Sequence, residues 1–189
     1  ERTGIDPEVV DDVIFGCVDA IGPQAGNIAR TAWLAARVPY QQTEAFRFGN
    51  PIVDDWEGRV NAWPLDEGLI DYVDGATYGG PSEENPLSTL NVIANPKVSI
   101  GGTELDATTI TPDTIRALHE ADGIEANVAS GYHAIEFLLW GQDLNGTDAG
   151  AGNRPYTDYV QGAGCTGDHC GTAAVKRRPF GPPVTRHTG

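Results

Sequence analysis

The chain has 189 residues, with 12 Lys and Arg against 27 Asp and Glu and a formal net charge of -15 at pH 7. That length suits one domain, or a pair of small ones, with a real core. The acidic balance excludes nucleic acid as a partner, because phosphate binding needs a basic surface. Hydrophobic residues make up 40% of the sequence, too many for wholesale disorder, and no apolar run approaches the roughly 18 residues a membrane span needs.

Residues 1–29 have the texture of an α/β protein. Arg2-Thr3-Gly4-Ile5-Asp6-Pro7 reads as a turn, and Val13-Ile14-Phe15-Gly16-Cys17-Val18 as a short buried strand. Asn27 is placed to cap a helix starting at Ile28 and running through Ala32-Trp33-Leu34-Ala35-Ala36 towards Phe48, with Pro39 kinking or restarting it. Beyond Tyr40 no strand signal is strong, and helical segments are expected between Gly, Pro and Asn punctuation. Leu65, Leu69, Ile70 and Val73 form one helical face, and Thr111 and Pro112 open a further helix as cap and first residue. The clearest helix is predicted over Ile124 to Trp140, where Val128, Tyr132, Ile135 and Leu139 fall on one stripe and Gly141 is the stop. Trp33, Trp56, Trp63 and Trp140 are expected to anchor a core rather than stack on a ligand.

The sequence lacks methionine and opens without a charged-then-apolar leader, as expected of a processed product or an internal fragment. Cys17 sits in an apolar run and reads as a buried hydrophobe. Cys165 and Cys170 close a small loop if the compartment is oxidising; together with His169 they also form a weaker candidate for metal binding. Asn145-Gly146-Thr147 matches a glycosylation sequon. Residues 171–189 hold Lys176, Arg177, Arg178 and Arg186 without an acid, and Pro179, Pro182 and Pro183 without amphipathic period. They read as a disordered end, or else as a basic tail for an acidic partner.

Two resemblances run through the text. Arg2 to Pro7, Val10 to Val18 and Gly26-Asn27-Ile28-Ala29-Arg30 resemble the N-terminal region of thiolases (acetyl-CoA acyltransferases). No Cys-Gly-Ser-type nucleophile segment follows, and Cys17 lies in the strand, so this implies an inactive acyltransferase fragment without thiolase activity. Pro39-Tyr40-Gln41-Gln42-Thr43-Glu44-Ala45-Phe46-Arg47-Phe48-Gly49, Trp63-Pro64-Leu65-Asp66-Glu67-Gly68 and Gly131-Tyr132-His133-Ala134-Ile135-Glu136 resemble the imelysin-like family, the last as its Gly-x-His-x-x-Glu signature. That family is known from insulin-cleaving membrane proteases and iron-regulated envelope proteins. The resemblance implies a mainly α fold, here an incomplete imelysin-like helical bundle with long loops, preceded by the short α/β-type segment. It implies three parts: a thiolase-like fragment over 1–36, a partial imelysin-like helical domain over 37–170, and the basic tail over 171–189. The two likenesses meet within Ala32 to Ala36, the mark of a chimeric chain or a fused reading frame.

His133 and Glu136 are three residues apart, so on a helix an imidazole and a carboxylate converge on one cation. Nitrogen and oxygen donors suit zinc or non-haem iron better than calcium. Gly131 inside a helix costs roughly 1 kcal/mol against Ala, a cost that closely packed backbone or ligand would justify. Two ligands do not complete a site. Glu44 and Arg47, one turn apart, offer a carboxylate and an anion-binding group; Glu125, His119 and Glu120 are further options. Alternatively, His133 and Glu136 form a structural pair on the helix surface. The resemblance implies a periplasmic or cell-envelope protein linked to iron or haem acquisition, binding a metal ion (iron or zinc) or haem. Its competitors are a metallopeptidase acting on a peptide through the same pair, and a chain without evolved function. Hydrolysis would need a general base beside the metal, and no His-Glu-x-x-His pattern is present.

Overall fold

The computed structural model describes residues 28–155 and residue 158. The expected strand at Val13 to Val18, the Asn27 cap, Cys165 and Cys170, and the 171–189 tail lie outside these residues. The described part is mainly α, with long connecting loops. Helix α1 spans Ile28–Gln42 with Pro39 inside it. Pro39 falls on an exposed stretch, and the helix runs on through it to Gln42 without restarting. A 3-10 turn over Thr43–Phe46 follows. Helix α2 spans Pro51–Val60, with proline at its first position and the Asn50 side chain accepting from the Val53 N–H.

The predicted helix over residues 65–73 shrinks to one turn, α3, Glu67–Ile70, because Asp71 turns to extended backbone and carries its carboxylate to Arg154. A second single turn, α4, Gly75–Tyr78, is capped by Asp74, which accepts from Ala76 and Thr77. The strand-free expectation also needs correction. Lys97–Ile100 (β1) and Thr103–Asp106 (β2) form an antiparallel hairpin in the register Val98 opposite Leu105 and Ile100 opposite Thr103. Gly101 and Gly102, at φ 55° and 79°, supply the left-handed pair that a two-residue hairpin turn requires.

Helix α5, Pro112–Leu118, opens as expected on a Thr111 cap, with Thr114 returning the bond. Helix α6 runs only from Gly131 to Trp140, not from Ile124. The intervening chain is tied elsewhere: the Glu120 N–H donates to Asn127 O, and buried Asn127 Nδ2 donates to Ala121 O at 2.6 Å. Gly141 ends α6 at φ 74°.

Helix α6 is the axis of the described part. On one side, Ala134 and Phe137 join a core of Leu69, Ile70, Val92, Ile93, Val98, Ala107 and Leu118. On the other, α1 presents Arg30, Trp33, Arg37 and Tyr40 at helical spacing. Trp33 meets Trp140 edge-on at 5.2 Å, Tyr40 meets Tyr132 at 4.6 Å, and the Arg37 guanidinium lies over Trp33, Tyr40 and Tyr132.

Candidate functional site

The first turns of α6 place His133 and Glu136 on one face, their Nδ1 and Oε2 3.6 Å apart. Both line a cleft of about 880 Å³, whose wall also includes Trp63, Glu67, Trp140 and Asp143. The Trp63 ring stands 4.9 Å from the His133 ring while remaining 65% exposed. Trp56 is likewise half exposed. The expectation that the four tryptophans anchor a core is therefore not met: Trp56 and Trp63 are half or more exposed, and Trp33 and Trp140 meet edge-on, half-buried, at the cleft wall outside the buried core.

Burial pushes the His133 pKa down, and the charge on Arg37 adds to this, while Glu136 opposes both. The imidazole thus favours its neutral form, the one that offers a lone pair to a cation. Glu67, across the cleft, has its pKa raised to about 7. Burial is the main cause, opposed by Arg154 and reinforced by the carboxylates of Asp143, Asp66 and Glu136. Two hydrogen bonds through the Tyr78 hydroxyl hold this wall. The Glu67 N–H donates to Tyr78 Oη at 2.8 Å, and Tyr78 in turn donates to buried Asp66 at 3.0 Å.

Gly131 does not sit inside the helix as expected. It is the first helical residue, with φ 90°. A Cβ there would stand 2.5 Å from Val60 O and 2.8 Å from Arg59 O, so glycine lets the end of α2 press onto the start of α6. Glu44 lies exposed in the 3-10 turn. Arg47 pairs with Asp54 at 3.2 Å and Glu57 at 3.1 Å, and Glu57 in turn accepts from Asn61 at 2.8 Å. Glu125 is exposed, Glu120 adopts φ 52°, and His119 binds Ser130. Asn145 donates through Nδ2 to Asp143 and to Ala151 O, folding the loop that rims the cleft.

A nitrogen and an oxygen bound to one tetrahedral zinc lie about 3.3 Å apart, so the 3.6 Å separation of His133 and Glu136 fits two donors of one cation. Among the described residues, however, no three His, Cys, Asp or Glu side chains come together closely enough to hold a metal ion. A cation held by these two side chains would need its remaining ligands from elsewhere.

Sequence comparison fixes the family. The Imelysin profile (peptidase family M75) matches residues 18–177, most of the chain. This is an imelysin-family chain. Two curated relatives share shorter stretches with the imelysin chain. Iron-regulated protein A of Synechococcus elongatus (strain ATCC 33912 / PCC 7942 / FACHB-805) is 41% identical over 46 residues, covering 23% of this chain and 13% of the relative. Steroid 3-ketoacyl-CoA thiolase FadA6 of Mycobacterium tuberculosis (strain ATCC 25618 / H37Rv) is 74% identical over 39 residues, 21% of this chain and 10% of the relative. The matches thus span only about a tenth of either relative's length. Both likenesses seen in the sequence are found, which accords with a chimeric chain. No helix among the described residues is long and apolar enough to cross a membrane.

The sequence singles out His133, Glu136 and Gly131 as site candidates, gives Glu67 no role and reads Trp63 as a core anchor. Both stand in the Trp63-to-Gly68 block that carries part of the family likeness. That block was the only available signal, because nothing local indicates which side chains meet across some 70 residues.

Proposed function

We propose that this chain is part of an imelysin-type protein of the periplasm or bacterial cell envelope that captures iron, as the ion or within a complex such as haem, through His133 and Glu136. The observation that carries this reading is the pair itself: an imidazole held neutral and a carboxylate, converging at donor spacing in a cleft far larger than a bare ion needs. The name of Iron-regulated protein A supports iron as the cargo. Zinc remains the competing metal for the same donors. Titration calorimetry of the purified 189-residue chain with ferric iron, zinc and haem tests the assignment. Binding is expected for iron or haem and is lost in His133→Ala and Glu136→Gln, with the thermal transition preserved. Full iron and haem affinity in His133→Ala would overturn it.

Glu67 favours a second reading, a metallopeptidase using the same pair. A metal held by His133 and Glu136 would supply Lewis acidity, and Glu67, with its pKa near neutrality, is suited to accept a proton from water in the cleft. His133 and Glu136 would then orient the reacting centre, and Trp63 would bear on the bound peptide. This reading requires chelator-sensitive cleavage of an unfolded polypeptide that falls at least about a hundredfold in Glu67→Gln. Iron binding without turnover decides for the capture reading.

A further inference from the structure

A second cluster lies where α2 ends and α6 begins, away from the cleft. The last carbonyls of α2 have no partner within the helix. Two of them are met by side chains from the far side of the fold. Ser130 Oγ lies 3.0 Å from Arg59 O, His119 Nε2 lies 3.3 Å from Gly58 O, and Ser130 Oγ and His119 Nδ1 lie 3.2 Å apart. Ser130 immediately precedes α6, yet its side chain does not cap that helix. It reaches back to α2 instead.

Counting protons constrains this arrangement. Both main-chain carbonyls are acceptors only, and the serine hydroxyl has a single proton. Contact with Arg59 O uses that proton, so Ser130 Oγ must accept from Nδ1–H. Contact with Gly58 O needs Nε2–H at the same time. A neutral imidazole carries one N–H and can satisfy two of the three contacts. Only the imidazolium satisfies all three. A cation is also favoured at the C-terminal end of a helix.

We propose that His119 and Ser130 form a proton-dependent clasp, fastening the start of the His133–Glu136 helix to the end of α2 when His119 is protonated and loosening it when His119 is neutral. The charged groups sharing this depression are Asp54, Asp55 and Arg59 on α2, Arg116 on α5 and Glu120 beyond it. With three carboxylates and two guanidinium groups around it, the imidazolium is not outweighed by positive charge. Gly131 lies against Val60 O beside the clasp, so the two contacts together set where α6 begins. This inference is independent of what the cleft binds.

Hydrogen exchange of the full chain tests it, comparing the first hydrogen-bonded amides of α6, residues 134–137, at about pH 5.5 and about pH 8, either side of the range where histidines titrate. After correction for intrinsic exchange, protection is expected to be about fivefold higher in acid, the worth of one hydrogen bond, and His119→Gln should flatten the difference. An equal pH response in His119→Gln and the unaltered chain would overturn the clasp. Should His119→Gln fail to fold, ring-nitrogen NMR of the unaltered chain decides. Two protonated ring nitrogens at the acidic end support the clasp, and a neutral ring there overturns it.

Discussion

Trp63 and His133 meet with ring centroids 4.9 Å apart and planes tilted by 58°, the indole open to solvent and the imidazole largely enclosed. A protonated imidazole quenches a neighbouring indole, so Trp63 is a built-in reporter of His133. Because burial holds His133 below the usual histidine range, the quenching midpoint is expected below about 6.5. Fluorescence titration of the chain checks this, with Trp63→Phe and His133→Gln each removing the pH-dependent component. The stability sign follows: the unfolded chain takes up the proton first, so the His133 contribution is present above the unfolded value and is lost as pH falls towards the folded one.

Glu67 acts in the opposite sense. Its carboxyl in the fold holds a proton up to about pH 7, whereas the unfolded side chain releases it near 4.5. Between those values the folded chain binds more protons, and stability declines as pH rises. Glu67→Gln is therefore expected to stabilise the protein at pH 8 by about 1 kcal/mol, the full shift being discounted because the cleft is open to solvent. The gain should vanish below pH 4.5, as denaturant midpoints at the two pH values will show.

The buried ion cluster predicts a larger loss. Arg154 binds Asp71 at 2.6 Å and Asp158 at 3.2 Å, and the Tyr72 hydroxyl donates to Asp158 at 2.6 Å. Arg154→Met strands two buried carboxylates without their cation and is expected to cost about 3–5 kcal/mol. Combining it with Asp71→Asn and Asp158→Asn should recover most of that cost. Chemical denaturation of the single and triple variants checks both expectations.

Gly131→Ala combines a positive φ with a clash against the main chain of α2, and about 2–4 kcal/mol of destabilisation is expected. Gly58→Ala is the matched control. It lies within α2, its added Cβ meets nothing within 4 Å, and it should stabilise by about 0.5–1 kcal/mol. Thermal unfolding of the two variants should therefore shift in opposite directions.

Local chemistry was readable from the sequence. The Thr111–Pro112 opening of α5 and the Gly141 stop of α6 both rest on residues within one turn of the boundary. Where distant partners decide, the text misleads. The stripe through Val128 suggests helix, but Asn127 is committed to Ala121 O and Glu120 N, which holds that stretch in a loop. The face over residues 65–73 is broken because Asp71 answers Arg154, 83 residues away. The hairpin was legible in principle, since alternating Val98 and Ile100 precede Gly101-Gly102, yet four-residue strands leave little periodicity to detect. The same logic governs the site. The His133–Glu136 spacing is a property of one helix, whereas Glu67 and Trp63 join it only through tertiary packing.

The lower end of α6 carries its own lesson. Arg30 donates to Leu139 O at 2.8 and 2.6 Å and to Arg154 O at 3.2 Å, while Arg154 reaches Phe137 O and its N–H reaches Trp140 O. The carbonyls at the end of the helix are thus served by Arg30, more than a hundred positions upstream, and by Arg154, up to 17 positions downstream. A protease nick between Asn145 and Gly152 that let the downstream piece drift away would take Arg154 with it and unravel α6 from its foot. The spacing of His133 and Glu136 would be lost although neither residue had itself been touched.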